Sequence, residues 1–161
     1  MSNIDLDKGG RIPQLHRTYL GPTKGWIQTD EPAFVEWVID GVGAPITIGF
    51  SGTLLIPYGC VIYNWFLTSD VMGSVQIDIW KMSQDAIRAG GFPSAANTIT
   101  GSAKPNISAN KFGYSAALTG WTTLINQNDV LAFNVDTASS LVRVTLVLQC
   151  VKTVGQFAGP Q

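Results

Sequence analysis

Charge is what this chain has least of. Lys, Arg, Asp and Glu make up 13% of its 161 residues, against about 25% in typical soluble domains. Ten basic and eleven acidic side chains leave a net charge of −1. That balance excludes the basic footprint of a nucleic-acid binder. Apolar residues reach 45%. A surface so poor in charge is expected to be covered, in large part, by copies of the chain or by a partner.

Histidine is nearly absent too. His16 is the single one, and no Gly-x-Ser-x-Gly elbow exists to join it in a triad. Cysteine is limited to Cys60 and Cys150, with no Cys-x-x-Cys spacing to hold a metal. Both sit in apolar text and read as buried free thiols; a bridge would require their strands to be neighbours. No Asp-x-Asp-x-Asp loop offers calcium its clustered oxygens. "GGR" and "GVGAP" have neither a following helix nor a phosphate-binding lysine. Asp129 and Asp136 flank one strand and read as turn residues rather than a glycosidase pair. The expectation is a protein that is not an enzyme, with no catalytic residue, cofactor or metal.

Long apolar runs are missing as well. The longest, Leu54 to Ile62, is interrupted by Pro57 and Gly59, and a membrane span needs about 20 residues. The start, Met-Ser-Asn-Ile-Asp, lacks the basic-then-apolar pattern of a signal peptide. A soluble, cytosolically made protein with no membrane partner is expected. Helical stripes are scarce: only residues 83–91 read as a short helix, with Ser83 as N-cap and Gly90 as stop.

What the chain does have is alternation of period two. Val35, Trp37 and Ile39 share one face of "FVEWVID". Val61, Tyr63, Trp65 and Leu67 fall on one face of "CVIYNWFLTS", and Val75, Ile77 and Ile79 on one face of "SVQIDIWKM". Leu131, Phe133 and Val135 alternate in "DVLAFNVD", and Val142, Val144, Leu146, Leu148 and Cys150 in "LVRVTLVLQCVK". "DTASS" reads as the turn that makes these last two strands hairpin partners. Short strands bounded by Gly, Pro, Asn and Ser predict an all-β, antiparallel two-sheet β-sandwich of the jelly-roll kind over residues 33–161.

Residues 1–32 behave differently. Gly and Pro break any period, yet Ile12, Leu15, Tyr19, Leu20, Trp26 and Ile27 make the stretch richer in apolar groups than a disordered tail. It reads as an irregular, extended docking arm. Arg11, Ile12, Leu15, Arg17, Tyr19 and Trp26 are its expected partner-binding residues, because aromatic and arginine side chains dominate interfaces.

"ITGSAKPNIS", residues 99–108, reads as an uncharged crossing between strands. Its hydroxyls and amides can satisfy loop backbone locally, and it is expected to pack on a neighbouring subunit. A sugar-binding loop is the alternative. Trp26, Trp37, Trp65, Trp80 and Trp121 could supply a sugar platform, with Trp80 the best placed. The competing reading puts Trp80, like Phe112, at a subunit contact, or packs it under the 83–100 loop.

"VQIDIWK" at 75–81, "ITGSAKPNIS" at 99–108, "LTGWTT" at 118–123 and "DVLAFNVDTASSLVRVTLVLQCVK" at 129–152 stand in a recognisable order. This pattern resembles a module of tailed-bacteriophage virion surface proteins, over roughly residues 45–153. The resemblance implies a jelly-roll domain at a particle surface, often trimeric, seen in fibre-like and capsid decoration proteins alike. The expected function is a phage virion structural protein, a capsid decoration or cement protein attached by its arm. The alternative is a short tail-fibre or tip protein that binds a host receptor, possibly a glycan. The expected partners are the chain itself, as a homotrimer, and the major capsid protein or another virion protein. Its expected place is the virion, assembled in the bacterial cytoplasm. No heptads or repeats of a fibre shaft are present, which favours decoration.

Overall fold

The computed structural model describes residues 17–19, 26–28 and 31–153. In the arm, β1 (Arg17–Tyr19) and β2 (Trp26–Gln28) pair antiparallel, with Tyr19 opposite Trp26 and Arg17 opposite Gln28. The body follows as β3 (Pro32–Asp40), β4 (Gly49–Leu55), β5 (Cys60–Met82), α1 (Gln84–Arg88), a 3-10 turn (Ala95–Asn97), β6 (Asn106–Ser115), β7 (Leu124–Ile125), β8 (Val130–Ser139) and β9 (Arg143–Lys152). Helix α1 forms where the caps place it: the Ser83 hydroxyl accepts from the Ala86 N–H, and Gly90 takes φ +90° just beyond its end. Among the described residues, no helix is long and apolar enough to cross a membrane.

The body strands are antiparallel and belong to one hydrogen-bonded sheet, ordered β3-β9-β5-β8-β4, with β6 and β7 also on β5. Separate sheets were expected; one strand joins them instead. β5 runs for 23 residues. Its first half, Cys60 to Ser69, pairs with β9. Its second half, Ser74 to Met82, pairs with β8. β6 follows β5 through both halves. The ladder is interrupted by register shifts at 62/64, 68/73 and 76/77. Bulges of this kind bend a strand and add twist, so the sheet curls and its apolar face closes on itself.

That closure makes the core. Trp65, Leu67, Val144, Leu146 and Leu148 of one half and Val75, Ile77, Ile79, Leu131, Phe133 and Val135 of the other are buried in a single cluster. Burying side chains of this size contributes roughly 1.5–3 kcal/mol each. The two ends of the sheet order also meet. On β3, the Trp37 ring stacks on Phe133 of β8, and its Nε1 donates to Ser51 Oγ of β4 at 3.3 Å. Gly52 is required beneath that ring: a Cβ there would lie 2.6 Å from Trp37 Cζ2. The β3–β4 seam is thus closed by side chains rather than by a backbone ladder.

Two expectations of register fail. Val61 and Tyr63 are exposed, not inward; Cys60 and Ile62 are buried in their place. The bulge between Ile62 and Asn64 inserts one extra residue and flips the alternation, so only Trp65 and Leu67 face the core. Nor do β8 and β9 form a hairpin. β8 continues to Ser139, and residues 140–142 cross from one half of the sheet to the other. Leu141 is buried in that crossing, and the Leu141 and Val142 carbonyls accept from Ile46 N and Gly41 N at 2.8 and 2.7 Å. A buried apolar anchor and loop hydrogen bonds outweigh the local turn signal.

Candidate functional site

The outward face of the first half-sheet carries several exposed apolar side chains. Strand register sets its rows. Glu36, Val147, Phe66 and Tyr114 lie side by side across β3, β9, β5 and β6, and Val38, Thr145, Thr68 and Phe112 form the next row. Phe34 stands above, opposite Gln149. Phe34 is 63% exposed, Phe112 52% and Tyr114 50%. Phe66 stacks on Tyr114 at 4.8 Å between centroids and touches Phe112 at 6.1 Å. Glu36 is the charge in these two rows. Asn64 is buried on this face beside Gln149, with Nδ2 donating to Gln149 Oε1 at 2.8 Å. Apolar side chains spread over one exposed sheet face mark an interaction surface.

The second half-sheet carries a polar cluster on its outward side. Asp78 projects from β5 and is only 3% exposed, because the 98–104 segment covers it. Thr98 and Thr100 donate their hydroxyls to its Oδ1 at 2.6 and 2.7 Å. Lys104 Nζ lies 3.0 Å from its Oδ2 and 2.6 Å from Asp136 Oδ2. Asn134 Nδ2 donates to Asp136 Oδ1 at 2.8 Å. Burial works against the Asp78 charge, but the Thr98, Thr100 and Lys104 hydrogen bonds outweigh it and hold the carboxyl below its ordinary range. Burial also opposes the Lys104 charge, yet Asp136 and Asp78 raise that ammonium above its ordinary range.

This cluster decides what "ITGSAKPNIS" does. Ile99 and Thr100 are buried within the chain's own domain, and Trp121 Nε1 donates to the Ala103 carbonyl at 2.8 Å. Asn106 to Ser108 are not loop at all but the start of β6. The domain itself ties the crossing down through Asp78. Asp136 accepts from side chains, Lys104 of the crossing and Asn134 two residues back on β8, rather than turning back on its own backbone. Asp129 does take the turn role: its Oδ2 accepts from Asn126 N at 2.8 Å and lies 3.3 Å from Lys81 Nζ.

Among the described side chains, the tryptophan platform does not assemble. Trp65 is in the core, Trp37 fills the seam and Trp121 is tied to the crossing. Trp80 is half-buried and pairs through its backbone with Thr98 of the overlying segment, which matches the reading that packs it under the 83–100 loop. Among the described residues, the exposed rings are Phe and Tyr instead. Of the arm residues, Arg11, Ile12 and Leu15 lie outside the described residues, as does His16; Arg17, Tyr19 and Trp26 fall in the β1–β2 pair. Cys60 and Cys150 are free and buried on neighbouring strands, where Cys150 faces Ile62. The adjoining Cys60 side chain and burial push the Cys150 thiol up. Among the described residues, no three His, Cys, Asp or Glu side chains gather into a metal-holding group.

Sequence reasoning reached only Phe112 of the outward sheet face, because its rows come from four separate strands. The signal that could have found it is the pair Phe112 and Tyr114, apolar at alternate positions beside the exposed Asn110.

Compared with known proteins, no family model matches this chain, and no curated protein matches it. Among solved structures, it is similar to a chain in the structure of infectious bursal disease virus, Gx strain, at 12% identity and a TM-score of 0.30. The likeness covers 84% of this chain and 41% of that chain, so this chain spans less than half of its length.

Proposed function

We propose that this chain is a phage virion structural protein: a capsid decoration or cement subunit, homotrimeric, attached through its N-terminal arm to the major capsid protein or another virion protein. One observation carries the binding role. Phe34, Val38, Phe66, Phe112 and Tyr114 stand on one outward sheet face with Glu36 as the charge in its rows. A soluble domain exposes such a face in order to cover it. The four blocks that resemble phage surface modules supply the particle. We read the curled sheet as a jelly-roll sandwich whose layers share the bent β5–β6 ribbon, a reading supported by Trp37 stacking on Phe133 between its halves.

The test places charge on the face. The double variant Phe34→Asp, Phe112→Asp alters two exposed positions and leaves the core untouched. It is expected to fold, to scatter light as a monomer where the parent is a trimer, and to lose binding to particles that lack the protein. A parent that is monomeric both alone and on the particle, or a variant that assembles and binds as the parent does, would sink the proposal. The tail-fibre or tip reading is the runner-up. It is favoured by a polar groove beside β6, lined by Gln76, Ser102, Ser108 and Asn110, which suits receptor contact.

A further inference from the structure

Cys60 and Cys150 stand on a diagonal between neighbouring strands. Cys60, the first residue of β5, lies opposite Lys152 of β9, and Cys150 lies opposite Ile62. Side chains alternate along a strand, and both cysteines fall on the inward face, where they are fully buried. Diagonal neighbours on one sheet face stand roughly 7–8 Å apart at Cα and closer at Cβ. A small closing of the strands brings such a pair within the roughly 4.4–6.8 Å that a disulfide spans. The two thiols already interact directly, each being the largest influence on the other.

The two positions are not equivalent. Cys60 sits at a corner of the sheet, and β7, which flanks it, is only two residues long. A corner held by so short a strand opens locally at low cost, which admits a small solute to Cys60. Cys150 is flanked on both sides by long strands, β3 and β5. The chemistry runs the same way. The Cys150 side chain, as hydrogen-bond partner, holds the Cys60 thiol below its ordinary range against the opposing effect of burial, while Cys60 and burial push the Cys150 thiol up. The thiolate is the attacking form in exchange with a disulfide, so Cys60 is the residue that attacks and Cys150 the one that resolves.

We propose that Cys60 and Cys150 are a redox-controlled staple: exchange with a low-molecular-weight disulfide joins them in an intramolecular disulfide that ties the start of β5 to the end of β9. The Cys60 thiolate attacks one sulfur of the small disulfide, whose S–S bond breaks and releases one small thiolate. The Cys150 sulfur then attacks the Cys60 sulfur, its proton passes to water, and the second small thiolate leaves. The two cysteines are oxidised and the small disulfide is reduced to two thiols. The bridge closes a loop over residues 60–150, and long loops restrict the unfolded chain most.

The test incubates the folded full-length chain with oxidised glutathione, then reads its mass and its melting temperature. The expected product is lighter by two hydrogen atoms, retains no glutathione and yields a peptide pair joined at Cys60 and Cys150. It should melt at least about 5 °C above the reduced chain, and dithiothreitol should reverse the gain. Cys150→Ser should stop at a glutathione adduct on Cys60, and Cys60→Ser should gain neither adduct nor bridge. Alanine at each position serves as the second variant should serine fail to fold. The proposal is overturned if the folded chain keeps both thiols, if glutathione stays attached to it, if the bridge joins two chains, or if the bridge lowers the melting temperature.

Discussion

The indole of Trp37 lies on the ring of Phe133, with centroids 4.8 Å apart and planes 11° from parallel. These residues belong to β3 and β8, which are not neighbours in the sheet. The contact exists only because the sheet has curled until its halves face each other. Stacked pairs add about 0.5–1.5 kcal/mol beyond their area. A double-mutant cycle of Trp37→Leu and Phe133→Leu, followed by denaturant unfolding, should return a coupling of about 1 kcal/mol. A coupling of zero would mean that the seam is open in solution.

The centre of the core is tested at Leu146, which is fully buried on β9. Leu146→Ala should lower stability by about 2–5 kcal/mol, a transfer loss plus a cavity. A loss under about 1 kcal/mol would place this face of β9 outside the core and put its register wrong by one residue.

The Asp78 cluster predicts a pH profile. The Asp78 carboxyl is held below its ordinary range by Thr98, Thr100 and Lys104 against the opposing effect of burial. Its contribution is therefore present above the unfolded carboxylate pKa, about 3.9, and is lost as pH falls through the lower folded value. Lys104 is raised despite burial. Its contribution is present below the unfolded lysine pKa, about 10.4, and is lost as pH rises through the higher folded value. Thermal unfolding should show a plateau between these limits. Asp78→Ala should lower it by about 3 kcal/mol and flatten its acid side. An unchanged acid limb in the variant would remove Asp78 from the account.

Much of this architecture is written in alternation. β8 and β9 show their inward residues directly, and α1 shows its caps, because burial on one face of a strand and hydrogen bonding at a helix end are local demands. What could not be read is set by longer-range geometry. The bulge after Ile62 flips Val61 and Tyr63 outward, and nothing in "CVIYNWFLTS" marks the inserted residue. The crossing at Leu141 defeats the hairpin signal of "DTASS" because it depends on a pocket formed by other strands. Asp78 falls on the outward side of the β5 alternation, and the segment that buries it follows about twenty residues later in the chain. The groove beside β6 depends on a corner at Ala109, where a positive φ at an alanine carries no sequence signature.

The claim at the centre of the account is attachment to a particle by the arm. Its most direct measurement uses particles that lack the protein, incubated with the full chain or with a chain lacking residues 2–30, then purified and quantified by band intensity. The strand ladder of the body begins at Pro32, so the truncated chain should fold with the circular dichroism of the β-rich body. The account predicts hundreds of copies of the full chain per particle and none of the truncated, folded one. A full chain bound at a few tens of copies or fewer, or a truncated chain that still decorates the particle, would contradict it.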